Sequence, residues 1–365
     1  MHPQFRGRRV HGTFSGRAAI ALACDVLALA PGDEILVPSY TCGTELDALL
    51  RQGLVLRGYS VDRSCRFDLE EIKSRAGGRT KAVYVVHYFG WSQDLGPLRR
   101  WTQERGLRLI EDCALALFSE GVSGPLGTIG DAAIFSMPKT LGTAHGGLLS
   151  LAAELESSVP SLRCAGATLL ARELIRSSKA LAWRGIEFAG LVSAIRSRQG
   201  SRAGGSPDVG APIGRPDMPS DYYFTDDHWR TASRPEIGRV LASIDAVEVV
   251  RRRRRNFSAL RELIGSDGRF EPLLDSLPSG VCPLHFPIVT ERRDELHRRL
   301  WRKGIAAIPW WSGFHRNALD WSAFPEAEWL KQRVLCLPVH QGLGEREMEW
   351  IADSLRRAEP GSGTP

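Results

Sequence analysis

Lys139 stands where a lysine amine could act as a nucleophile. It follows the apolar run Ala132–Phe135, precedes the glycine-rich stretch 142–147, and is one of only six lysines in the 365-residue chain. A lysine in such a place can be partly desolvated, which favours a nucleophilic amine. Because most single lysines are surface charges, its position rather than its residue type makes Lys139 a candidate for catalysis.

Two further groups could bind an ionic ligand beside this lysine. Asp112 ends an apolar run, and a carboxylate there can pair with a protonated pyridine nitrogen through a hydrogen bond worth about 1.5–3 kcal/mol. Ser15–Ala19 begins a helical pattern, so its amides and the positive helix end could hold a phosphate. Ser136, three residues before Lys139, could donate its hydroxyl to the same phosphate. Each group also has a simpler explanation, since acids and serine–glycine pairs often only cap helices.

These residues lie on a pattern in which strands and helices alternate. Short apolar runs predict strands, and the longer periodic stretches between them predict helices. The predicted strands are Glu34–Val37, Lys81–Val86, Leu107–Ile110 and Ala132–Phe135, and the predicted helices are Ala18–Ala30 and Gly96–Gly106. The alternation predicts an α/β fold with a mostly parallel sheet covered by helices, and a ligand site at the carboxyl ends of its strands.

The second half of the chain predicts a different architecture. A helical pattern over Glu154–Gln199 is followed by Gly200–Pro219, which is rich in Gly, Ser and Pro and reads as a loop. Beyond a predicted helix at Arg234–Leu263, the sequence predicts strands at Val281–Val289 and Val334–Leu337 and helices at Arg292–Lys303 and Glu345–Arg357. We therefore expect a large domain over residues 1–235 and a smaller α+β domain over residues 236–365.

The basic charge discriminates poorly between partners. The formal net charge is +6 and most of the positive charge is arginine, including the run Arg251–Arg255. Neither aromatic interleaving nor a recognisable nucleic-acid module accompanies this run, so we interpret it as a solvated helix face rather than a nucleic-acid site. The helical pattern Ala171–Arg198 could lie on a membrane surface, but an amphipathic helix packed on its own protein explains it more simply.

The cysteines and the apolar segments favour a reducing cytoplasm. The seven cysteines are scattered without a CxxC pair, so we expect neither a disulfide framework nor a metal site. The basic N-terminus leads into no signal-peptide pattern. The apolar stretch Ala18–Ala30 is interrupted by Asp25 and is too short to span a bilayer, so we expect no integral membrane association.

Five further segments carry a resemblance to one known family. Pro31–Ser39 resembles "PGDEVIVPS", Val86–Gly90 resembles "VHLYG", Ile110–Ala114 resembles "IEDAA", Gly127–Asp131 resembles "GSLGD", and Leu337–Leu343 matches "LPVHQGL". These are motifs of the DegT/DnrJ/EryC1/StrS sugar aminotransferases, which are fold-type I enzymes dependent on pyridoxal phosphate (PLP). The resemblance runs in order from about Ser15 to Arg357.

The resemblance implies a fold and a set of cofactor contacts. It implies a fold-type I PLP-transferase, with active sites at the interface of a homodimer. Lys139 would bind PLP as a Schiff base, and Asp112 would pair with the pyridine nitrogen. The remaining cofactor contacts would come from Gly16, Arg17 and Ser136 on the phosphate and from Ala114 on one face of the ring.

The sequence also departs from the family at the cofactor. Leu115 stands where the family has Gln or His near the phenolic oxygen, and Cys42 stands where an aromatic residue often stacks on the ring. The lysine loop Phe135–Lys139 is shorter than the family's "FSFYPTK". We therefore expect a cofactor pocket that is more apolar and less tightly stacked, with Leu115 and Cys42 beside the ring.

A tryptophan-rich segment is the candidate substrate wall. Trp310 and Trp311 occupy the place of the first residues of the family's "HYPPLH", and His315 matches its last residue. The tryptophans could stack on a sugar or a base, or simply pack in the core. His87, in the segment that resembles "VHLYG", is a fourth candidate substrate contact.

Together, these residues predict an aminotransferase with ping-pong kinetics. It would transfer an amino group from an amino acid, with glutamate as the expected donor, to a keto sugar that is nucleotide-linked. Two alternatives remain open: a PLP enzyme of the same fold that performs dehydration or carbon–carbon bond formation, and a non-catalytic basic binding protein.

Overall fold

The computed structural model describes residues 3–153, 155, 159–167, 169–171, 216–218, 223, 229–265 and 270–358. Its strands are β1 Arg9–Thr13, β2 Glu34–Pro38, β3 Val55–Tyr59, β4 Thr80–Val86, β5 Arg108–Asp112, β6 Glu120–Gly121, β7 Gly124–Pro125, β8 Ala132–Ser136, β9 Gly147–Leu151, β10 Glu271–Pro272, β11 His285–Val289, β12 Ile308–Pro309 and β13 Val334–Pro338. Its α-helices are α1 Gly16–Val26, α2 Thr44–Arg51, α3 Leu69–Arg75, α4 Gly96–Glu104, α5 Met137–Leu141, α6 Pro235–Ser243, α7 Ala246–Gly265, α8 Arg293–Arg302, α9 Pro325–Arg333 and α10 Glu345–Ala358.

A seven-stranded sheet forms the centre of the molecule, in the order β1-β9-β8-β5-β4-β2-β3. The five strands from β8 to β3 are parallel, which confirms the predicted α/β fold. β9 joins these strands antiparallel to β8, and β1 pairs antiparallel with β9 at the edge of the sheet. The sequence analysis missed these two strands, because β9 begins within a glycine-rich stretch and β1 lacks an apolar run.

Helix α1 begins where the sequence analysis places a helix start, but it ends early. Ser15 is its N-cap, and the Ser15 side chain accepts a hydrogen bond from the backbone N–H of Ala18. The predicted helix extends to Ala30, whereas the observed helix stops at Val26 because Ala28 turns the chain with a positive φ of 54°.

Gly147 allows β9 to pass directly beneath the start of α1. A Cβ atom at this position would lie 2.2 Å from the carbonyl oxygen of Ser15, so any larger residue would displace one of the two elements. This close approach fixes the N-terminus of α1 beside the end of β8, whose last residue, Ser136, pairs with Gly147.

The C-terminal part contains a four-stranded antiparallel sheet in the order β10-β11-β13-β12. The predicted strand Val281–Val289 is too long, since only His285–Val289 joins the sheet. The carbonyls of Val281, Pro283 and Leu284 instead accept hydrogen bonds from arginine side chains of α7.

The predicted helix Arg234–Leu263 is two helices, α6 and α7. They meet at Asp245, whose side chain accepts a hydrogen bond from the N–H of Glu248 and so caps α7. Ile237 and Val249 belong to the same buried cluster as Phe135 of the large sheet. The first helices after residue 235 therefore contact the large sheet, and the division at residues 235/236 stays a prediction.

The interpretation of Arg251–Arg255 as a solvated face is wrong for Arg253. Arg251 and Arg252 are exposed and pair with Glu248, but Arg253 is only 2% exposed. Its guanidinium donates to the backbone carbonyls of Thr140, Pro283 and Leu284, and to Gln341 Oε1. The sequence could not reveal this role, because all four acceptors lie far along the chain.

Within the described residues, no helix is long and apolar enough to cross a membrane. All seven cysteines are free, as their spacing predicts. The predicted helical insert 154–199, including the amphipathic stretch 171–198, and the predicted loop 200–219 lie largely outside the described residues.

Candidate active site

A cavity of about 530 Å³ opens at the carboxyl ends of β5 and β8, between the large sheet and the loop that follows β12. Parallel pairing of these two strands brings their ends together, with Asp112 opposite Ile134. Ten of the twelve predicted site residues line the cavity: Gly16, Arg17, Cys42, Asp112, Ala114, Leu115, Ser136, Lys139, Trp310 and Trp311.

Lys139 lies in the short helix α5, which starts immediately after β8 and ends at Gly142 with a left-handed φ of 69°. The side chain of Lys139 is exposed within the open cavity. Lys139 still interacts electrostatically with Asp112 and Cys42 across the cavity. It is thus the accessible amine of this site.

Asp112 supplies a buried carboxylate. Its Oδ1 accepts a hydrogen bond of 2.8 Å from the N–H of Ala114, and its Oδ2 accepts one of 2.8 Å from the hydroxyl of Tyr84. Burial raises the pKa of Asp112, Lys139 lowers it, and Glu45 raises it further. A cationic group bound near Asp112 would relieve the cost of this buried charge.

The N-terminus of α1 also lines this cavity, beside the end of β8. Gly16 lies so close to β8 that a Cβ atom on it would be 3.9 Å from the Cβ of Ser136. Arg17 is the second residue of the helix, and its Nη1 donates to the carbonyl of Tyr223 at 3.3 Å. Amides at the start of an eleven-residue helix, with a serine beside them, form a suitable site for a phosphate.

Cys42 is paired with Glu45, a residue that the sequence analysis missed. The Cys42 thiol donates to Glu45 Oε2 at 2.7 Å, and the Cys42 N–H donates to Oε1 at 3.0 Å. Burial and then the Glu45 carboxylate raise the pKa of Cys42 to about 12, although Lys139 opposes them. Cys42 is therefore a neutral thiol. An acid three residues after Cys42, in the first turn of a helix, was the one available signal for Glu45.

Ala114 and Leu115 give the cavity an apolar side. Both residues are buried in the turn after β5, and both line the cavity. Leu115 carries neither a donor nor an acceptor on its side chain, so this side of the cavity can make only van der Waals contact through it. Phe14, His145, Met218 and His285 also line the cavity and were not predicted.

Trp310 and Trp311 form a wall of the cavity directly after β12 of the four-stranded sheet. Their rings stack with centroids 5.4 Å apart at 27°. Trp311 also contacts Tyr40 and Tyr88, with centroids at 5.3 and 5.8 Å. Trp310 is 6% exposed. The two tryptophans therefore pack in the core and also line the cavity, so both interpretations of this segment apply.

His87 lies outside the cavity. Its Nδ1 accepts a hydrogen bond from the N–H of Gln93, so its Nε2 carries the proton and donates to Glu111 at 3.0 Å. Glu111 also accepts from the N–H groups of Gly127 and Ile129. These bonds show that the buried His87–Glu111 pair has a structural role, because it holds the backbone of neighbouring loops.

His315 also lies outside the cavity. Its Nδ1 accepts from the N–H of Asn317, and its Nε2 donates to Asp47 at 3.1 Å. The ring packs on Tyr223 at 5.0 Å. Because both ring nitrogens are hydrogen-bonded, His315 stabilises the loop that follows Trp311. Ser312 and Gly313 of this loop line the cavity.

Comparison with known proteins agrees with this fold. The sequence model of the DegT/DnrJ/EryC1/StrS aminotransferase family matches residues 6–174. Over 94% of its length the chain is 26% identical to dTDP-4-dehydro-2,3,6-trideoxy-D-glucose 4-aminotransferase of Saccharopolyspora spinosa, of which the match covers 83%. It is 36% identical over 42% of its length to UDP-N-acetyl-3-dehydro-alpha-D-glucosamine 3-aminotransferase of Acidithiobacillus ferrooxidans, covering 42% of that protein.

The fold has close structural relatives. The aminotransferase TlmJ of Streptoalloteichus hindustanus superposes with a TM-score of 0.67 and 23% identity, covering 96% of this chain and 85% of that chain. Fold and sequence together define an enzyme of the PLP-dependent aminotransferase class. Residues 6–174 match the DegT/DnrJ/EryC1/StrS aminotransferase family, and the likeness to the 26% identical relative extends over 94% of the chain.

Proposed function

We propose that this enzyme transfers an amino group from glutamate to a nucleotide-linked keto sugar, with PLP bound to Lys139 as a Schiff base. One observation carries the proposal. The exposed amine of Lys139, the buried carboxylate of Asp112 and the N-terminus of α1 line a single cavity at the strand ends.

The residues present fit PLP. The Asp112 carboxylate would pair with the pyridine nitrogen, and the α1 amides at Gly16 and Arg17, with the Ser136 hydroxyl, would hold the phosphate. Ala114 and Leu115 supply the apolar surface that a ring needs. When bound, the cofactor supplies a carbonyl carbon and an electron-withdrawing ring.

The remaining chemistry falls to Lys139. Once its amine is free, Lys139 Nζ would take the proton from the α-carbon of the amino donor and deliver it to the cofactor carbon that had carried the carbonyl. Proton transfer by a positioned group typically contributes about 10²–10⁴ in rate. Buried Asp112 would keep the ring nitrogen protonated throughout, because a neutral ring beside this carboxylate would leave its charge uncompensated.

The acceptor is inferred from the relatives and from the wall. Both sugar relatives carry nucleotide-linked keto sugars in their names. Trp310 and Trp311 offer aromatic surface to the cavity, on which a sugar or a base could stack. A homodimer with active sites at its interface, and a cytoplasmic location, are parts of the same proposal.

An absorbance spectrum of the purified protein tests the cofactor and Lys139. We expect a visible band from the lysine-bound cofactor, absent in Lys139→Ala because that variant lacks the amine. Lys81→Ala is the matched control, since Lys81 is exposed on the large sheet. A colourless wild-type protein that binds no added PLP, or an unchanged band in Lys139→Ala, would contradict the proposal.

A second function stays open because of Leu115 and Cys42. A neutral thiol and a leucine replace a stacking ring and a polar contact, so the same cofactor could serve dehydration or carbon–carbon bond formation. Adding glutamate and assaying for pyridoxamine phosphate separates the two. Its formation supports transamination, and its absence with every amino donor favours the second function.

A further inference from the structure

Lys331 is a buried lysine that the proposed chemistry does not use. It lies near the end of α9 and is 1% exposed. A lysine is almost never fully buried unless its charge is matched by partners. The contacts of Lys331 therefore show which groups stabilise its buried ammonium.

All three protons of the ammonium are engaged by backbone carbonyls. Lys331 Nζ donates to the carbonyl oxygens of Thr41 at 2.6 Å, Trp311 at 2.9 Å and Gly313 at 2.8 Å. Thr41 precedes Cys42, which lines the cavity after β2, and Trp311 and Gly313 line it from the loop after β12. A single side chain thus ties two walls of the cavity together.

Aromatic rings surround the same ammonium. Nζ lies 5.0 Å from the ring centroid of Phe314, 5.3 Å from that of Trp321 and 6.0 Å from that of Tyr40. Ring faces attract a cation at these distances. They also exclude water, so the three carbonyls depend on Lys331 for their hydrogen bonds.

Trp311 needs such support. Its φ of 52° is left-handed, a conformation that is unfavourable for a non-glycine residue and persists only where its surroundings hold it. The bonds from Lys331 to the carbonyls of Trp311 and Gly313 hold the backbone at this strained residue and two residues after it.

We propose that Lys331 is a positioning residue, which holds the wall of Trp311 and Gly313 at a fixed distance from the Thr41–Cys42 side of the cavity. The proposal rests on the proposed function, because it assigns the wall a part in enclosing the lysine-bound cofactor. Lys331 itself does not line the cavity.

The charge of Lys331 makes the tie sensitive to pH. Burial lowers the pKa of Lys331 to about 8, and Glu45 and Cys42 oppose this effect. A neutral amine has only two protons to donate, so deprotonation leaves one of the three carbonyls without its bond. The titratable and charged groups around this lysine are Glu45 and Cys42 at the start of α2, Tyr40 after β2, and Arg293 of α8, which donates to the Lys331 carbonyl.

Cyanoborohydride trapping of the lysine-bound cofactor tests the tie without catalysis. The probe enters the cavity and reduces the bond to Lys139, so the loss of the visible band reports access. At pH 7 we expect Lys331→Met to be trapped at least roughly tenfold faster than wild type, because it removes all three hydrogen bonds and the loss of a single bond of about 1.4 kcal/mol already gives this factor. Lys81→Met is the control and should match wild type.

The pH series distinguishes positioning from packing. As pH rises through about 8, the trapping rate of wild type should approach that of Lys331→Gln, because the neutral amine, like the amide, has only two protons to donate. Lys331→Gln, which keeps two amide protons, should be intermediate and provides a second variant if the methionine does not fold.

Each result bears on a different claim. Equal trapping rates in wild type and folded Lys331→Met or Lys331→Gln, with the band intact, would overturn the positioning role and leave the proposed function standing. A wild-type protein without the band would overturn the proposed function and this proposal with it.

Discussion

Two acids, Glu45 and Asp112, share one cavity with the single exposed amine of Lys139. Both acids are buried, and each is held by hydrogen bonds to its own segment. The Glu45 charge raises the pKa of Asp112. The residues around the ring position are therefore richer in negative charge than the sequence motifs indicate.

Alkylation tests the pairing of Cys42 with Glu45. Because burial and Glu45 raise the pKa of Cys42 to about 12, iodoacetamide at pH 8 should leave Cys42 unmodified while the exposed Cys164 reacts. Glu45→Gln removes a charge that disfavours the thiolate, so alkylation of Cys42 should become faster. Peptide mass spectrometry measures both sites, and Cys164 is the internal reference. Equal labelling of Cys42 in both proteins would contradict the pairing.

Sequence reasoning found single residues where a local pattern carried the information. Asp112, Ser136 and Lys139 each end or follow an apolar run, so strand prediction placed them at one edge of the sheet. His87 and His315 carried only a resemblance, and the structure places both in hydrogen-bonded positions outside the cavity.

At the scale of elements, α7 connects α5, the helix that contains Lys139, to the segment that precedes β11. Arg253 on α7 and Gln341 after β13 both donate to the carbonyl of Thr140, next to Lys139. Arg253 also bonds the carbonyls of Pro283 and Leu284 before β11. These bonds keep the 281–284 segment out of the sheet and against α7.

Substituting Arg253 should destabilise the enzyme far more than substituting its neighbour. Arg253→Met leaves buried carbonyls at Thr140, Pro283 and Leu284 without donors, and we expect a loss of about 3–5 kcal/mol in the free energy of unfolding. Arg252→Met is the matched control, because Arg252 is exposed and pairs with Glu248, so it should change little. Urea unfolding measures both. Similar losses in the two variants would contradict the role assigned to Arg253.

Over the whole molecule, Lys331 should give stability an unusual dependence on pH. Its pKa is about 8 in the folded chain and about 10.4 when unfolded. Between these values the unfolded state binds more protons, so the free energy of unfolding contributed by Lys331 rises with pH, by at most about 1.4 kcal/mol per unit. Below about pH 8 the buried charge imposes its full cost.

Comparison with Lys331→Met isolates this contribution. Subtracting the free energies of unfolding of the two proteins cancels the buried cysteines, whose raised pKa values act in the opposite direction. We expect wild type to gain stability relative to the variant from pH 8 to pH 10. A difference that stays flat or falls over this range would show that Lys331 titrates normally.

The sequence by itself determined the features that depend on neighbours along the chain. Runs of apolar residues predicted four of the five parallel strands, all but β3, and the polar residues after them predicted the cavity at the strand ends. The family motifs lie in these same local segments, so motif and pattern led to one site.

Only the tertiary structure decided which distant groups complete the site. Lys331 reaches Thr41 across 290 positions, and Arg253 reaches Thr140 across 113. Each side chain donates hydrogen bonds to backbone carbonyls that the fold buries away from water. A buried carbonyl without such a donor would lower the stability of the fold. No local pattern in the sequence indicates these bonds, because the buried carbonyls arise only when distant segments of the chain pack together.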